Sequence, residues 1–187
     1  MTKKIFVGNV PVGGGERVKI QSMTTAKTSD VPAVLKQINA LANAGCDIVR
    51  VAVPDEAAAR AVREIKDASP LPVVADIHFS ARLAVLAIEN GADKVRINPG
   101  NIGGEDKIAL VADCVKAHRI PVRVGANTGS IEKGFLEKYG KNEFSLVESA
   151  LYNVGILEKH GISDIAISVK ASDVPLTVRA YKLLSQR

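Results

Sequence analysis

Apolar residues along this chain switch repeatedly between a period of two and a period of about 3.6, the mark of alternating strands and helices. Ile5, Val7, Val10 and Val12 alternate with other residues and run into Gly13-Gly14-Gly15, which predicts a small β-hairpin ahead of the main fold. Residues 18–23 read as a short strand and 24–29 as a polar loop. Val31, Val34, Leu35, Ile38 and Leu41 then recur at helical spacing, with Asp30 placed as the cap, Pro32 in the first turn and Gly45 at the close. Further strands are predicted at 47–53, 72–78, 94–98, 121–125 and 162–169. Helices are predicted at 55–68, through Leu83, Leu86, Ala87 and Asn90 as far as Gly91, at 105–118, at 143–160, and from a cap at Ser172 or Asp173 to near Leu184. Residues 126–142 read as a long loop with a helical turn near 131–136.

Such alternation from end to end implies parallel strands joined by right-handed crossovers. A doubly wound open sheet and a (β/α) barrel both fit. An eight-unit barrel takes about 250 residues, whereas the 187 residues here leave room for roughly six units after the hairpin. Length therefore favours the open sheet, and the placement of polar residues argues the other way. Gln21 and Met23, Arg50, Asp76 and His78, Arg96 and Asn98, Arg123 and Asn127, and Lys170 all fall at the carboxyl ends of successive strands. An open sheet uses a few strand ends at its switch point, while a barrel brings every strand end to one mouth. The expected fold is α/β: an incomplete TIM-type (β/α) barrel of about six units, preceded by the hairpin, in a single domain over residues 1–187.

The stretch Lys94-Val95-Arg96-Ile97-Asn98-Pro99-Gly100-Asn101-Ile102-Gly103-Gly104 shows the chemistry at stake. Side-chain alternation sends Val95 and Ile97 one way and Arg96 and Asn98 the other, and a cation buried there without a partner costs free energy. Arg50, Arg96, Arg123 and Lys170 all aimed at one cavity would repel one another unless an anion filled it. Arg matches phosphate oxygens bidentately and Lys acts as a compact charge, so four cations suit a ligand with more than one phosphate. Asn98, Asn127 and the backbone amides around 100–104 are candidate neutral donors. His78, beside Asp76 on the same face, is placed to be held in one tautomer and to donate to a ligand. A single strand-end Arg is usually a salt-bridged surface residue; four at equivalent positions favour ligand binding. No G-x-x-x-x-G-K-[ST] occurs, which excludes a P-loop.

Composition changes this picture little. The chain is 47% hydrophobic and 24% charged, with a formal charge of +5. Aromatics at 4%, no Trp and no Lys/Arg-rich run argue against nucleic acid, and a small anionic ligand accounts for the basic excess. Cys46 and Cys114 lack C-x-x-C spacing, so neither a disulfide framework nor a complete cysteine-ligated metal site is expected within the chain. No signal peptide and no membrane span are read, and the expected location is cytoplasmic.

Several motifs occur in order: Gln21-Ser22-Met23-Thr24, Ala44-Gly45-Cys46-Asp47-Ile48-Val49-Arg50-Val51, Val74-Ala75-Asp76-Ile77-His78-Phe79, Arg96-Ile97-Asn98-Pro99-Gly100-Asn101-Ile102-Gly103, Leu146-Val147-Glu148-Ser149-Ala150-Leu151 and Ser168-Val169-Lys170-Ala171-Ser172-Asp173-Val174. Together they resemble the N-terminal domain of the 4-hydroxy-3-methylbut-2-enyl diphosphate synthases, the IspG/GcpE family of the non-mevalonate isoprenoid pathway. The resemblance implies an eight-stranded barrel that binds 2-C-methyl-D-erythritol 2,4-cyclodiphosphate. It implies a C-terminal domain with a [4Fe–4S] cluster held by three Cys and one Glu, electrons from flavodoxin or ferredoxin, and a homodimer in which one subunit's cluster domain closes the other's barrel. By motif position it places substrate contacts on Met23, Arg50, Asp76, His78, Arg96, Asn98, Arg123, Asn127 and Lys170. At Gly125-Ala126-Asn127-Thr128-Gly129 the chain departs from the Val and Ala that the family usually carries around the Asn. The last two barrel units and the cluster domain have no counterpart in these residues, so the expectation is a truncated chain, inactive alone, that carries no cluster and self-associates through exposed sheet edges. Two other readings stand beside it. One is a dihydropteroate synthase-like barrel enzyme acting on a phosphorylated substrate; the other is a non-catalytic diphosphate-binding module.

Overall fold

A computed structural model describes residues 2–187. The hairpin is present, with β1 (Ile5–Val7) antiparallel to β2 (Val10–Val12). The series that follows is β3 (Gln21–Met23), α1 (Val31–Asn43), β4 (Ile48–Ala52), α2 (Glu56–Ala68), β5 (Val73–Asp76), α3 (Ala81–Glu89) and β6 (Lys94–Ile97). It continues with α4 (Pro99–Ile102), α5 (Glu105–His118), β7 (Val122–Asn127), α6 (Lys133–Tyr139), α7 (Glu143–Lys159), β8 (Ile165–Lys170) and α8 (Val174–Leu184). Strands β3 to β8 pair in chain order, all parallel, into one curled six-stranded sheet, a half-barrel.

The helices start where local chemistry says they should. Asp30 accepts the Ala33 amide at 3.2 Å, Asp55 that of Ala58 at 2.8 Å and Ser80 that of Leu83 at 3.3 Å, each satisfying an amide left free in a first turn. Asn142 and Ser145 form a reciprocal capping box on α7. The outward residues of the strands, Val49, Val51, Val73, Ala75, Val95, Ile97, Val122 and Val124, are fully or almost fully buried against Val34, Ile38, Val62, Ile65, Ile88, Val111, Val115 and Leu157 of the helices. At about 1.5–3 kcal/mol for each large side chain, this layer is the principal driving force for the fold.

The other sheet face is the barrel interior. At its amino-terminal end Val7 of the hairpin packs on Ile48 and Val74, with Val10 and Val12 behind it. The hairpin is therefore a floor, and the strand carboxyl ends form the open mouth.

Several element boundaries differ from the expectation. β3 begins only at Gln21, and Val18 is 89% exposed, because an edge strand has one neighbour to hold it. β7 runs on to Asn127, drawn out by pairing with β8 as far as Lys170. Residues 133–139 form helix α6 within the expected loop. The expected Gly-rich loop after β6 opens with a helical turn, because Asn98-Pro99-Gly100 is a cap followed by proline at the first helical position.

A cationic cavity at the strand ends

Parallel register sorts the interior side chains into rungs. Met23, Arg50, Val74 and Lys94 pair across one rung. Asp76, Arg96, Arg123 and Ala166 form the next, towards the mouth. Gly125 then pairs with Ser168, and Asn127 with Lys170 at the rim. Residues three strands apart thus meet because the pleat and the pairing align them.

A cavity of about 470 Å³ opens over these rungs, lined by Arg50, Asp76, His78, Arg96, Arg123, Asn127 and Lys170, with Gly125 and Ser168 between them. Seven of the nine expected site residues share this wall. Met23 lies one step away, its sulfur accepting the Arg50 Nε–H at 3.3 Å. Asn98 is off the wall. It is 5% exposed and its Oδ1 accepts the Gly100 amide at 3.2 Å as the cap of α4. That amide also meets Asn153 Oδ1 at 2.8 Å, and Asn153 in turn donates to Glu132 at 2.9 Å. The amide of Gly100 is engaged inside the protein, so this loop does not present it to the cavity.

Asp76 is the one carboxylate on the wall, and it is 5% exposed. Its oxygens stand 3.6 Å from Arg50 Nε, 3.4 Å from Arg96 Nη1 and 3.7 Å from His78 Nε2. Charge-assisted bonds close to about 2.7–2.9 Å, so Asp76 orients the two guanidiniums without using up their donors. The gap to His78 is too wide for a hydrogen bond. Asp76 therefore does not lock the His78 tautomer, in contrast to the expectation. Arg123 and Lys170 have no ion pair among the described residues. Burial lowers the Arg123 pKa most; Tyr181 and Asp76 oppose the drop, and the positive charges of Arg50 and Arg96 add to it. The wall is short of negative charge, which an anionic ligand would supply.

Gly125 makes the arrangement possible. A Cβ there would lie 2.6 Å from both Nε and Nη2 of Arg96, so the guanidinium rests on bare backbone. Thr177 and Tyr181 of α8 also line the cavity. They carry no signal in the sequence, because their place depends on how α8 docks beside β8. Lys94, which is 3% exposed, was legible: it precedes Arg96 by two residues and shares its face.

The residues present do not fit an iron–sulfur cluster. The Cys46 thiol is buried and donates to the Ile20 and Ile48 carbonyls, while Cys114 lies on α5 with its pKa raised by burial. Among the described residues no three His, Cys, Asp or Glu side chains are grouped to hold a metal.

Fold and cavity together define a class: a TIM-type βα-barrel protein with a cation-lined cavity at the carboxyl ends of its strands. The chain belongs to the family described as the GcpE TIM-barrel domain, whose model matches residues 2–187. It is similar to the 4-hydroxy-3-methylbut-2-en-1-yl diphosphate synthase (flavodoxin) of Caldanaerobacter subterraneus subsp. tengcongensis, with 53% identity over 188 residues, covering 100% of this chain and 53% of the relative. The enzymes of the same name from Wolinella succinogenes and Geobacter sulfurreducens are each 54% identical, over 98% and 100% of this chain and 51% and 53% of their own lengths. The chain thus spans about half the length of the curated relatives it matches. Among solved structures, a truncated 3-deoxy-D-arabino-heptulosonate 7-phosphate synthase from Thermotoga maritima superposes with a TM-score of 0.69 at 15% identity, over 98% of this chain and 65% of that one. The Yersinia pestis dihydropteroate synthase superposes at 0.66 with 10% identity, over 98% and 69%. These two share the fold.

Proposed function

We propose that this region is the substrate-binding barrel of a 4-hydroxy-3-methylbut-2-enyl diphosphate synthase, and that its cavity holds 2-C-methyl-D-erythritol 2,4-cyclodiphosphate. The observation that carries the reading is one cavity lined by Arg50, Arg96, Arg123 and Lys170 against the single carboxylate of Asp76. The names of the relatives point the same way. In this reading the guanidiniums clamp the two phosphates, Lys170 and Asn127 hold them at the rim, and Met23 supports Arg50 from the neighbouring strand. Breaking one carbon–oxygen bond of the ring turns a diphosphate diester into a diphosphate monoester with a free terminal phosphate, and adds one negative charge to the diphosphate. Cations already in place stabilise that charge more than they stabilise the bound dianion, and this difference is what accelerates a reaction.

The reduction is assigned to the [4Fe–4S] domain that the family resemblance implies, with flavodoxin or ferredoxin as donor, and no step of it is drawn from Cys46 or Cys114. Turnover by residues 1–187 with reductant alone would overturn that assignment. The test of the site is calorimetry with the cyclodiphosphate. Binding is expected to weaken steeply with salt, and by roughly tenfold or more in Arg123→Ala, the loss of one charge-assisted bond. Equal affinity in the variant would remove Arg123 from the site.

We also propose self-association of these residues. β3 and β8 each have one free edge, and Ile20, Val174 and Val178 expose apolar surface. A mass above that of the monomer is expected by light scattering, and a stable dilute monomer would contradict it.

A further inference from the structure

We propose that Lys94 is a fifth cation of the diphosphate site, set beneath the cavity, and that it takes up a proton from solvent when the anion binds. The inference rests on the diphosphate reading above and extends it to a residue that the motif comparison does not assign.

Lys94 sits on the inner face of β6, two residues before Arg96 and one rung nearer the hairpin. It is 3% exposed, and among the described residues its ammonium makes no ion pair and no hydrogen bond. The hairpin below offers Val7, Val10 and Val12, which are apolar. The rung above carries Asp76 on β5, Arg96 on β6 and Arg123 on β7, and Arg50 on β4 lies in its own rung. Asp76 is already engaged with both Arg50 and Arg96. His78, Lys170 and Tyr181 face the same cavity from further out.

Among the described residues no hydrogen bond or ion pair favours the charge of a lysine so placed. Burial lowers its pKa to about 8, with Arg123 and Arg50 adding to the drop. A dianion seated on the arginines reverses the local sign of the field, so the charged form of Lys94 becomes the stable one. Without ligand, the folded pKa lies below that of the unfolded chain, so between the two values the unfolded chain binds the extra proton. Unliganded stability therefore rises with pH from about 8 towards the ordinary lysine value of 10.5.

The probe is symmetrical dimethyl diphosphate, a dianion with one methyl ester on each phosphorus and no proton to gain or lose in this range. Calorimetry of the full chain in paired buffers of different ionisation enthalpy reads the protons taken up. An uptake of about 0.5–0.8 proton is expected at roughly pH 8.5, with affinity falling up to tenfold per pH unit above that. The uptake should vanish in Lys94→Gln. A purely structural lysine would leave proton uptake at zero in the parent chain, and that result overturns the proposal, as does uptake unchanged in Lys94→Gln. Should Lys94→Gln not fold, Lys94→Arg, which stays charged, is expected to bind without uptake; uptake in that variant would count against Lys94. If the dianion fails to bind at any pH, the diphosphate reading itself falls and this inference with it.

Discussion

Replacing Arg96 by alanine is expected to weaken binding of the cyclodiphosphate by about a hundredfold. Arg96 stands mid-rung between Asp76 and Arg123, and its side chain is 16% exposed. Its contact with Asp76 is long, at 3.4 Å, so most of its fork remains free for a ligand. A bidentate pair with a phosphate provides two charge-assisted bonds of about 1.5–3 kcal/mol each. Losing both removes at least about 3 kcal/mol, and each 1.4 kcal/mol is about tenfold. Gly125→Val tests the same point with every charge retained. Its Cβ would stand 2.6 Å from Nε and Nη2 of Arg96, so the head group must leave its position. A loss of about tenfold is expected from displacement alone. Calorimetry on both variants decides the matter, and an Arg96→Ala chain that binds as tightly as the parent would show that the ligand sits elsewhere.

The second large effect is expected on stability. Asp76→Asn should destabilise the unliganded protein by about 3 kcal/mol, the lower end of what breaking a buried ion pair costs. The reduction reflects the gaps of 3.4–3.7 Å, which weaken each pairing. Removing that carboxylate leaves Arg50, Arg96 and Arg123 to repel one another with no counter-charge among the residues lining the cavity. A bound dianion replaces the missing charge, so the rise in Tm on adding the cyclodiphosphate should be larger in the variant than in the parent. Melting curves with and without ligand measure this. An Asp76→Asn chain as stable as the parent, with an unchanged ligand shift, would mean that Asp76 does not offset the charge of the arginines.

Much of this site could be read before any fold was known. Arg96 and Asn98 share a face by alternation, and Arg96 does turn to the cavity while Val95 and Ile97 pack against the helices. Asn98 then parts from Arg96 because β6 ends at Ile97 and Pro99 starts a helix. The Asn-Pro-Gly triplet carried that signal, since Asn caps well and Pro suits the first turn. Lys94 was equally legible by alternation, since it lies two residues before Arg96 on the same face. Thr177 and Tyr181 were not legible, because no local pattern tells which face of α8 turns to the cavity.

Strand and helix periods, caps and the polar residues at strand ends are local, and local sterics and solvation write them directly into residue order. They place three arginines and a lysine near the carboxyl ends of their strands, on three levels of the register, without saying that these meet. Meeting depends on parallel register and on the curl of the sheet, which align Asp76, Arg96 and Arg123 in one rung and close the hairpin beneath Lys94. Those are long-range properties, set when the whole apolar layer packs at once. The same packing decides that Gly125 lies under a guanidinium and that a lysine on an otherwise ordinary strand is buried with no ion pair among the described residues.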